Sequence, residues 1–183
     1  MTTPQPTDGA PIIRWFAPLD PPLPPLTEEA RHHVEEVLGL RLPQAYLDLL
    51  EEQNGGAIDE VACPLDDVPG TIRGYVEDGA VTLTGLFGVA VEDRYGSILE
   101  SPSLCREWGL PEGLVLIDGD GHTWVALDGR GDGEPRVVFV VSEPLTVVRL
   151  AETFREFLGR LRPMVWRDDK KCPPPVDKAS PAP

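Results

Sequence analysis

The sequence is poor in the residue types on which metal sites and disulfide frameworks depend. Its 183 residues include three cysteines and three histidines. Cys63, Cys105 and Cys172 lie far apart and form no Cys-x-x-Cys pair, so we expect reduced cytosolic thiols. His32 and His33 are adjacent, and adjacent residues on a helix point in different directions. This excludes an i, i+4 metal pair.

Long hydrophobic runs are also missing. The apolar runs are short and interrupted by charge, and none approaches the roughly 20 residues that a helix needs to span a bilayer. The N-terminus has neither a basic start nor an apolar core, so no secretory signal is predicted. We therefore expect a cytoplasmic protein, and the length favours one domain with a single core.

Sequence motifs for common enzyme chemistry are absent. No His-Glu-x-x-His, Gly-x-Ser-x-Gly, phosphate loop or dinucleotide fingerprint occurs. Asp118 and Asp120 match the start of a calcium loop, but Gly129 stands where that loop needs its bidentate glutamate. We therefore predict no metal, no cofactor and no enzymatic activity. A carboxylate-dependent metal hydrolase using Asp118 and Asp120 is the less favoured alternative.

What the sequence does contain is acid. Thirty-one acidic residues stand against sixteen basic ones, which gives a net charge of −15. Four basic and three acidic residues lie beyond residue 162, so residues 1–162 carry −16. Such a field repels nucleic acid phosphates and anionic membranes, and it favours either a basic partner or simply high solubility.

Four pairs of adjacent acidic residues fall in a glycine-punctuated stretch over residues 57–96. This stretch predicts short strands and exposed loops. Solvation of turns is one interpretation of the pairs. Our hypothesis is that loops present them to the partner. The pairs are Asp59 and Glu60, Asp66 and Asp67, Glu77 and Asp78, and Glu92 and Asp93.

The stretch over residues 42–56 predicts one complete amphipathic helix. Pro43 suits a first helical turn, because its missing N–H would have no partner there. Tyr46, Leu49 and Leu50 recur at helical spacing, while the acidic residues between them face water. Asn-Gly-Gly then ends the helix, because these residues enter the left-handed region at little cost.

A shorter helix is predicted upstream, with Thr27 as its cap and Gly39 as its stop. Its apolar face is expected to comprise Ala30, Val34, Val37 and Leu38.

A meander of three antiparallel strands is predicted over residues 113–118, 122–128 and 136–141. Aspartate and glycine dominate the two connections, and both accept the dihedrals of tight turns. A helical turn is expected before the meander, over residues 103–108. A final amphipathic helix is expected to cover the sheet with Leu150, Phe154, Phe157, Leu158 and Leu161.

The order of these features resembles the SUKH superfamily, which includes yeast cell-wall synthesis regulators and many bacterial immunity proteins. The helix over residues 42–56 carries the leucine-proline start, the aromatic, the leucine pair and the asparagine with two glycines of that family. Trp108, residues 116–121, residues 124–128 and residues 154–158 extend the match. About residues 27–162 are covered.

The resemblance implies an α+β fold. Two N-terminal helices and one C-terminal helix are expected to flank a mainly antiparallel sheet of about five or six strands. We expect one shared core that contains Tyr46, Leu49, Trp124, Phe154 and Phe157.

The resemblance also implies a binding protein. Bacterial members of the superfamily are immunity proteins, and their cognate toxins are often nucleases, which are commonly basic. We therefore expect this chain to bind and neutralise a basic toxin, a nuclease. A regulatory scaffold that recruits proteins through proline-rich ends, like the eukaryotic members, is the alternative.

The two ends differ from the domain in composition. Eight prolines in residues 1–26 predict an extended lead-in. This lead-in is interpreted either as an arm that packs Trp15 and Phe16 or as a polyproline II ligand for an SH3-like partner. Residues 163–183 predict a proline-rich disordered tail, and residues 27–162 are the expected SUKH-like domain.

Overall fold

A computed structural model describes residues 24–89 and 96–164 of the chain. Most of the predicted lead-in and tail, with Trp15, Phe16 and Cys172, therefore lies outside the described residues. In the described part, no helix has the length and apolar character to cross a membrane. The α-helices and strands follow in the order α1 (Glu28–Leu38), α2 (Gln44–Glu52), β1 (Gly56–Pro64), β2 (Ala80–Leu86), α3 (Ser101–Glu107), β3 (Leu114–Gly119), β4 (Thr123–Asp128), β5 (Arg136–Val141), β6 (Thr146–Ala151), α4 (Phe154–Arg160) and β7 (Arg162–Pro163).

The expected α+β fold is confirmed, and its strands form two antiparallel sheets. One has the order β2-β1-β7 and the other β3-β4-β5-β6. They meet where the Phe87 N–H donates to the Ile117 carbonyl at 2.7 Å. Beside this bond, the Thr84 N–H donates to the Asp118 carboxylate at 3.3 Å. We call this junction the seam.

Two hydrophobic clusters lie on opposite faces of the four-stranded sheet. The larger cluster fills the space between both sheets and helices α1, α2 and α4, and it contains Tyr46, Leu49, Phe154 and Phe157. The smaller cluster lies between the other face and α3. Trp124 belongs to this second cluster, so the prediction that it shares a core with Tyr46 is wrong. Successive side chains on β4 point to opposite faces of the sheet, and the side chains on both faces are buried.

Helix α1 begins and ends as predicted. Thr27 Oγ1 accepts a hydrogen bond from the Ala30 N–H at 3.1 Å, and Gly39 ends the helix at φ 67°. The apolar face is narrower than predicted, because Val37 is 48% exposed. The helix contacts the core through Ala30, Val34 and Leu38, which lie four residues apart.

Helix α2 is held at both ends of its buried face. The Tyr46 hydroxyl donates to the Phe87 carbonyl, and its ring meets the Phe154 ring edge-on at 5.2 Å between centroids. Asn54 does not adopt the left-handed conformation expected of it. Its buried side chain instead donates to the Pro24 carbonyl at 3.0 Å and accepts from the Val89 N–H at 2.8 Å.

Glycine is needed where the segment after α2 meets the segment after β2. A Cβ atom at Gly88 would lie 2.2 Å from the Asn54 carbonyl oxygen, and one at Gly55 would lie 2.6 Å from the Gly88 nitrogen. The Asn-Gly-Gly sequence therefore does more than end a helix. It allows two backbones to approach each other within van der Waals distance.

The end of the domain differs from the prediction. Leu150 belongs to β6, a strand that pairs with β5 and that the helical pattern did not reveal. Helix α4 begins only after Thr153, whose hydroxyl caps it by accepting from the Glu156 N–H at 3.1 Å. Leu150 and Phe154 join the same cluster from different elements, so their helical spacing was coincidental.

Candidate functional site: an acidic segment between two clefts

The segment over residues 65–79 carries two of the four predicted acidic pairs, and we call it the acidic segment. Its ends are joined by a hydrogen bond from the Leu65 N–H to the Gly79 carbonyl at 3.0 Å. A short 3-10 helix, Gly70–Tyr75, forms its middle and buries Ile72 completely. The Tyr75 hydroxyl donates to the Glu143 carbonyl at 2.8 Å. These contacts hold an exposed loop in a defined shape.

The first acidic pair in this segment adjoins α4. Arg160 donates to Asp66 through Nη2 at 2.8 Å and also to the Pro64 carbonyl at 2.9 Å. The hydrogen bond to Asp66 raises the pKa of Arg160 above its ordinary value. Both Asp66 and Asp67 are exposed, as predicted. Arg160 therefore offsets part of the negative charge of the pair and fixes the start of the segment.

The second pair in the segment, Glu77 and Asp78, lies in the turn that leads into β2. Glu77 and Ala80 exchange backbone hydrogen bonds of 3.1 and 2.9 Å. Asp78 has φ 49°, a left-handed conformation that aspartate tolerates better than most residues. Both acidic side chains are exposed, so this pair also occupies the predicted kind of position.

The other two pairs are not on described loops. Asp59 and Glu60 lie within β1, at an irregularity in its register with β2, so the prediction that a loop carries them is wrong. Asp59 is nevertheless exposed. Glu92 and Asp93 lie outside the described residues. The role of all four pairs in partner binding stays a prediction.

A cleft of about 440 Å³ separates the start of the acidic segment from β6, and we call it the edge cleft. Asp66 and Asp67 line one wall, and residues 148–152 with Glu156 line the other. Sequence reasoning missed the contributions of β6 and α4. The Glu156 and Arg160 pair at i, i+4 was a signal for an exposed helix face, but nothing local placed that face beside residue 66.

A second cleft of about 500 Å³ lies along the seam, and we call it the seam cleft. Glu77 and Tyr75 reach it from the acidic segment, and Asp118 and Asp120 reach it from the end of β3. The edge cleft therefore adjoins the start of the acidic segment, and the seam cleft adjoins its end. Seven carboxylates line the two clefts, three of them in the acidic segment, and a partner's side chains can enter this space.

Asp118 is the most perturbed carboxyl group of this site. Burial raises the pKa of Asp118 to about 7, and hydrogen bonds from the Thr84 and Gly119 N–H groups offset part of that rise. The carboxylate also lies close to Gly85, where an added Cβ atom would be 3.3 Å from Asp118 Oδ1. The carboxyl group thus connects β3 to β2 across the seam.

Asp120 serves the turn between β3 and β4. Its Oδ1 accepts from the N–H groups of His122 and Thr123 at 3.0 and 2.8 Å. Partial burial opposes its charged form, but these bonds outweigh it and hold the pKa of Asp120 below its ordinary value. This is the turn role that aspartate commonly has between strands.

The metal-hydrolase alternative gains no support from this geometry. Both carboxylates of the proposed metal pair accept hydrogen bonds from backbone N–H groups. Among the described residues, no three His, Cys, Asp or Glu side chains are grouped so as to hold a metal ion. That no metal is needed for folding or function stays a prediction.

The fold is α+β, and its exposed acidic segment borders two clefts. The family model described as SMI1 / KNR4 family (SUKH-1) matches residues 25–160. The chain therefore belongs to this family, as its resemblance to the SUKH superfamily predicted. A comparison with curated proteins finds no match.

Proposed function

We propose that this protein is an immunity protein that binds and neutralises a basic bacterial toxin, a nuclease, in the cytoplasm of the cell that makes both. Membership of the SUKH-1 family supports the class of function. The observation that carries the choice of a basic partner is the acidic segment, held rigidly between two clefts in a chain of net charge −15. No cofactor or nucleic acid takes part in the proposal.

Electrostatics explains how such a surface would act. Complementary fields raise the rate of encounter between proteins by about 10- to 1000-fold at low ionic strength. They also disfavour acidic competitors, which contributes to specificity. Because the Debye length is only about 8 Å at physiological salt, the effect weakens as salt rises. We therefore expect the acidic segment to act mainly on the association rate.

Surface-plasmon kinetics with the toxin encoded by the neighbouring gene tests the proposal. The test variant combines Asp66→Asn, Asp67→Asn, Glu77→Gln and Asp78→Asn. We expect it to associate about tenfold more slowly at low salt, and the wild-type rate to fall as salt rises. The matched control neutralises four exposed acids on α1 and α2, namely Glu29→Gln, Glu36→Gln, Glu51→Gln and Glu52→Gln.

The control changes the net charge equally, so the difference between the two variants reports the location of the charge. If association slowed equally in both variants, net charge alone would explain the effect, and the acidic segment would have no special role. Association that does not depend on salt would contradict the steering model. Growth rescue on co-expression with the toxin tests neutralisation itself. A toxin that stays active in the presence of the wild-type protein would refute the immunity assignment.

Truncation separates this proposal from the regulatory-scaffold alternative. Removal of residues 165–183 keeps Met164, whose N–H donates to the Glu60 carbonyl at 3.0 Å. If the acidic segment binds the partner, this deletion leaves the toxin affinity unchanged. Loss of binding on deletion of the tail alone would favour the scaffold, which acts through its proline-rich ends.

A further inference from the structure

Strand β6 is the outer strand of the four-stranded sheet. It pairs with β5 on one side. Within residues 24–89 and 96–164, no strand pairs with its other side. An outer strand presents backbone N–H and C=O groups to which a further strand can bind.

Most side chains of this strand do not protect it from pairing, and its one charged residue, Arg149, lies next to the bulge. Its sequence, Thr-Val-Val-Arg-Leu-Ala, contains no proline, glycine or lysine, and it is rich in residues that favour strands. Val147 is 38% exposed and Leu145, just before the strand, is 51% exposed. Val147 lies opposite Val140 in the register with β5, so the apolar surface of the sheet continues to its outer edge.

The geometry of β6 places an added strand beside residues 146–149. The register with β5 is regular there, and it shifts only between Arg149 and Ala151. Such a bulge twists the end of a strand away from further pairing. The edge cleft begins at Val148 and follows the bulged end to Glu152. An added strand beside residues 146–149 would therefore lead directly into this cleft.

The charge of the edge cleft indicates what kind of chain it accepts. Asp66, Asp67, Glu152 and Glu156 line it against Arg149 and Arg160, which gives four negative and two positive groups. Asp66 and Glu152 are each engaged by an arginine. The net negative charge favours lysine or arginine on the incoming chain.

We propose that the outer side of β6 binds an extended basic segment of the protein partner, which adds to the sheet as a fifth strand and places a lysine or arginine in the edge cleft. This deepens the proposed function and rests on it for the identity of the partner. A second copy of this chain is the less suitable occupant, because two edge clefts of like charge would face each other.

A synthetic peptide tests the proposal without the toxin. The peptide Lys-Val-Arg-Val-Lys-Val-Arg is titrated into the full-length protein, and amide hydrogen exchange is followed by nuclear magnetic resonance. We expect slower exchange at residues 146–149 and unchanged exchange in the central strand β4. The peptide Glu-Val-Glu-Val-Glu-Val-Glu is the charge control, and we expect it to give no protection.

Two variants locate the binding site. Val147→Lys adds the charge that natural edge strands use against pairing, and we expect it to weaken peptide binding by about threefold or more. The matched control is Val37→Lys on α1, which changes another exposed valine, 48% against 38% for Val147, far from β6 in sequence. Equal urea midpoints for the two variants and the wild type show that both are folded. Equal loss of affinity in both would refute the proposal.

Other outcomes identify a different occupant and overturn the proposal. Protection of residues 146–149 that rises with protein concentration in the absence of peptide would assign the edge to a second copy. Peptide binding that occurs only after removal of residues 165–183 would assign it to the tail of this chain.

The failure of the proposed function would look different. Peptide binding at β6 together with an unneutralised toxin would leave the β6 site in place and refute only the immunity function.

Discussion

The four-stranded sheet is covered on both faces. In the three-stranded sheet, buried and exposed residues alternate, as they do in a sheet that is covered on one face only. In β5 every residue after Arg136 is buried, but in β1 buried and exposed residues largely alternate. The exposed positions of β1 leave room for acids such as Asp59. The continuous burial of β5 requires a second cluster, which α3 completes. The two sheets thus differ in how much of their surface is left open to solvent.

The largest expected effect comes from the cluster that both sheets share. Phe157→Ala should lower the free energy of unfolding by about 3 kcal/mol or more, because it removes a buried aromatic ring that packs against Phe154 at 5.7 Å between centroids. Urea denaturation measures the change. Arg155→Ala, on the exposed side of the same helix, is the control and should lower the free energy of unfolding by only about a few tenths of a kcal/mol. A comparably small change for Phe157→Ala would show that α4 is not docked.

The seam between the sheets is expected to respond to pH. The native pKa of Asp118 is about 7 and lies above its ordinary value, so the folded state holds this proton more tightly than the unfolded chain does. The resulting stabilisation is fully present below about pH 4 and is lost as the pH rises through 7. Between pH 5 and pH 8 the contribution should fall by about 2 to 3 kcal/mol.

Asp118→Asn isolates this effect. The amide stays neutral and keeps an acceptor for the Thr84 N–H, so the variant should lose less stability than the wild type between pH 5 and pH 8. Urea unfolding at the two pH values provides the measurement. Asp120→Asn is the control, since the pKa of Asp120 is lowered in the native state and its carboxylate is ionised throughout this pH range, so this variant should keep the pH dependence of the wild type. If the stability of Asp118→Asn and of the wild type changed in parallel with pH, Asp118 would not be the group that titrates at the seam.

A smaller effect is expected where α2 leads into the three-stranded sheet. Asn54→Ala leaves the Val89 N–H without its acceptor and the Pro24 carbonyl without its donor, which should cost about 1 to 2 kcal/mol. Thermal or urea unfolding tests this, with the exposed Glu52→Ala as control. If Asn54 only ended the helix, as the sequence suggested, Asn54→Gly would restore the lost stability. We expect that it does not.

The smallest expected effect on stability lies in the acidic segment. The Asp66 side chain is 88% exposed, so Asp66→Asn should change the free energy of unfolding by less than about 1 kcal/mol despite the loss of the 2.8 Å contact with Arg160. Asp67→Asn removes the same charge without disturbing that contact. A loss of several kcal/mol for Asp66→Asn would mean that the pair supports the fold rather than the binding surface.

Prediction from sequence succeeded where a single element carries its own signals. Thr27 and Gly39 bound α1 because capping depends on residues within one turn of the helix end. The meander over β3, β4 and β5 followed from turn residues between β-branched runs. The prediction failed for Leu150, because the helical spacing of five apolar residues took no account of pairing between β6 and β5.

The acidic segment was half predictable for the same reason. The exposure of Asp66, Asp67, Glu77 and Asp78 follows from their charge and from the glycines around them. The clefts beside them do not, because their other walls come from β6, α4 and the end of β3. Asp59 shows the limit, since it is exposed at an alternating position inside a strand rather than on the predicted loop.

The sequence by itself determined the acidic charge, the ends of α1, the central meander and the family. Each is set by composition or by residues a few positions apart. Only the tertiary structure decided that the strands form two sheets, that Trp124 and Tyr46 belong to different clusters, and that Asp118 is a buried carboxyl group at a seam. These features depend on which distant segments meet, and desolvation and sheet pairing arise only from that contact.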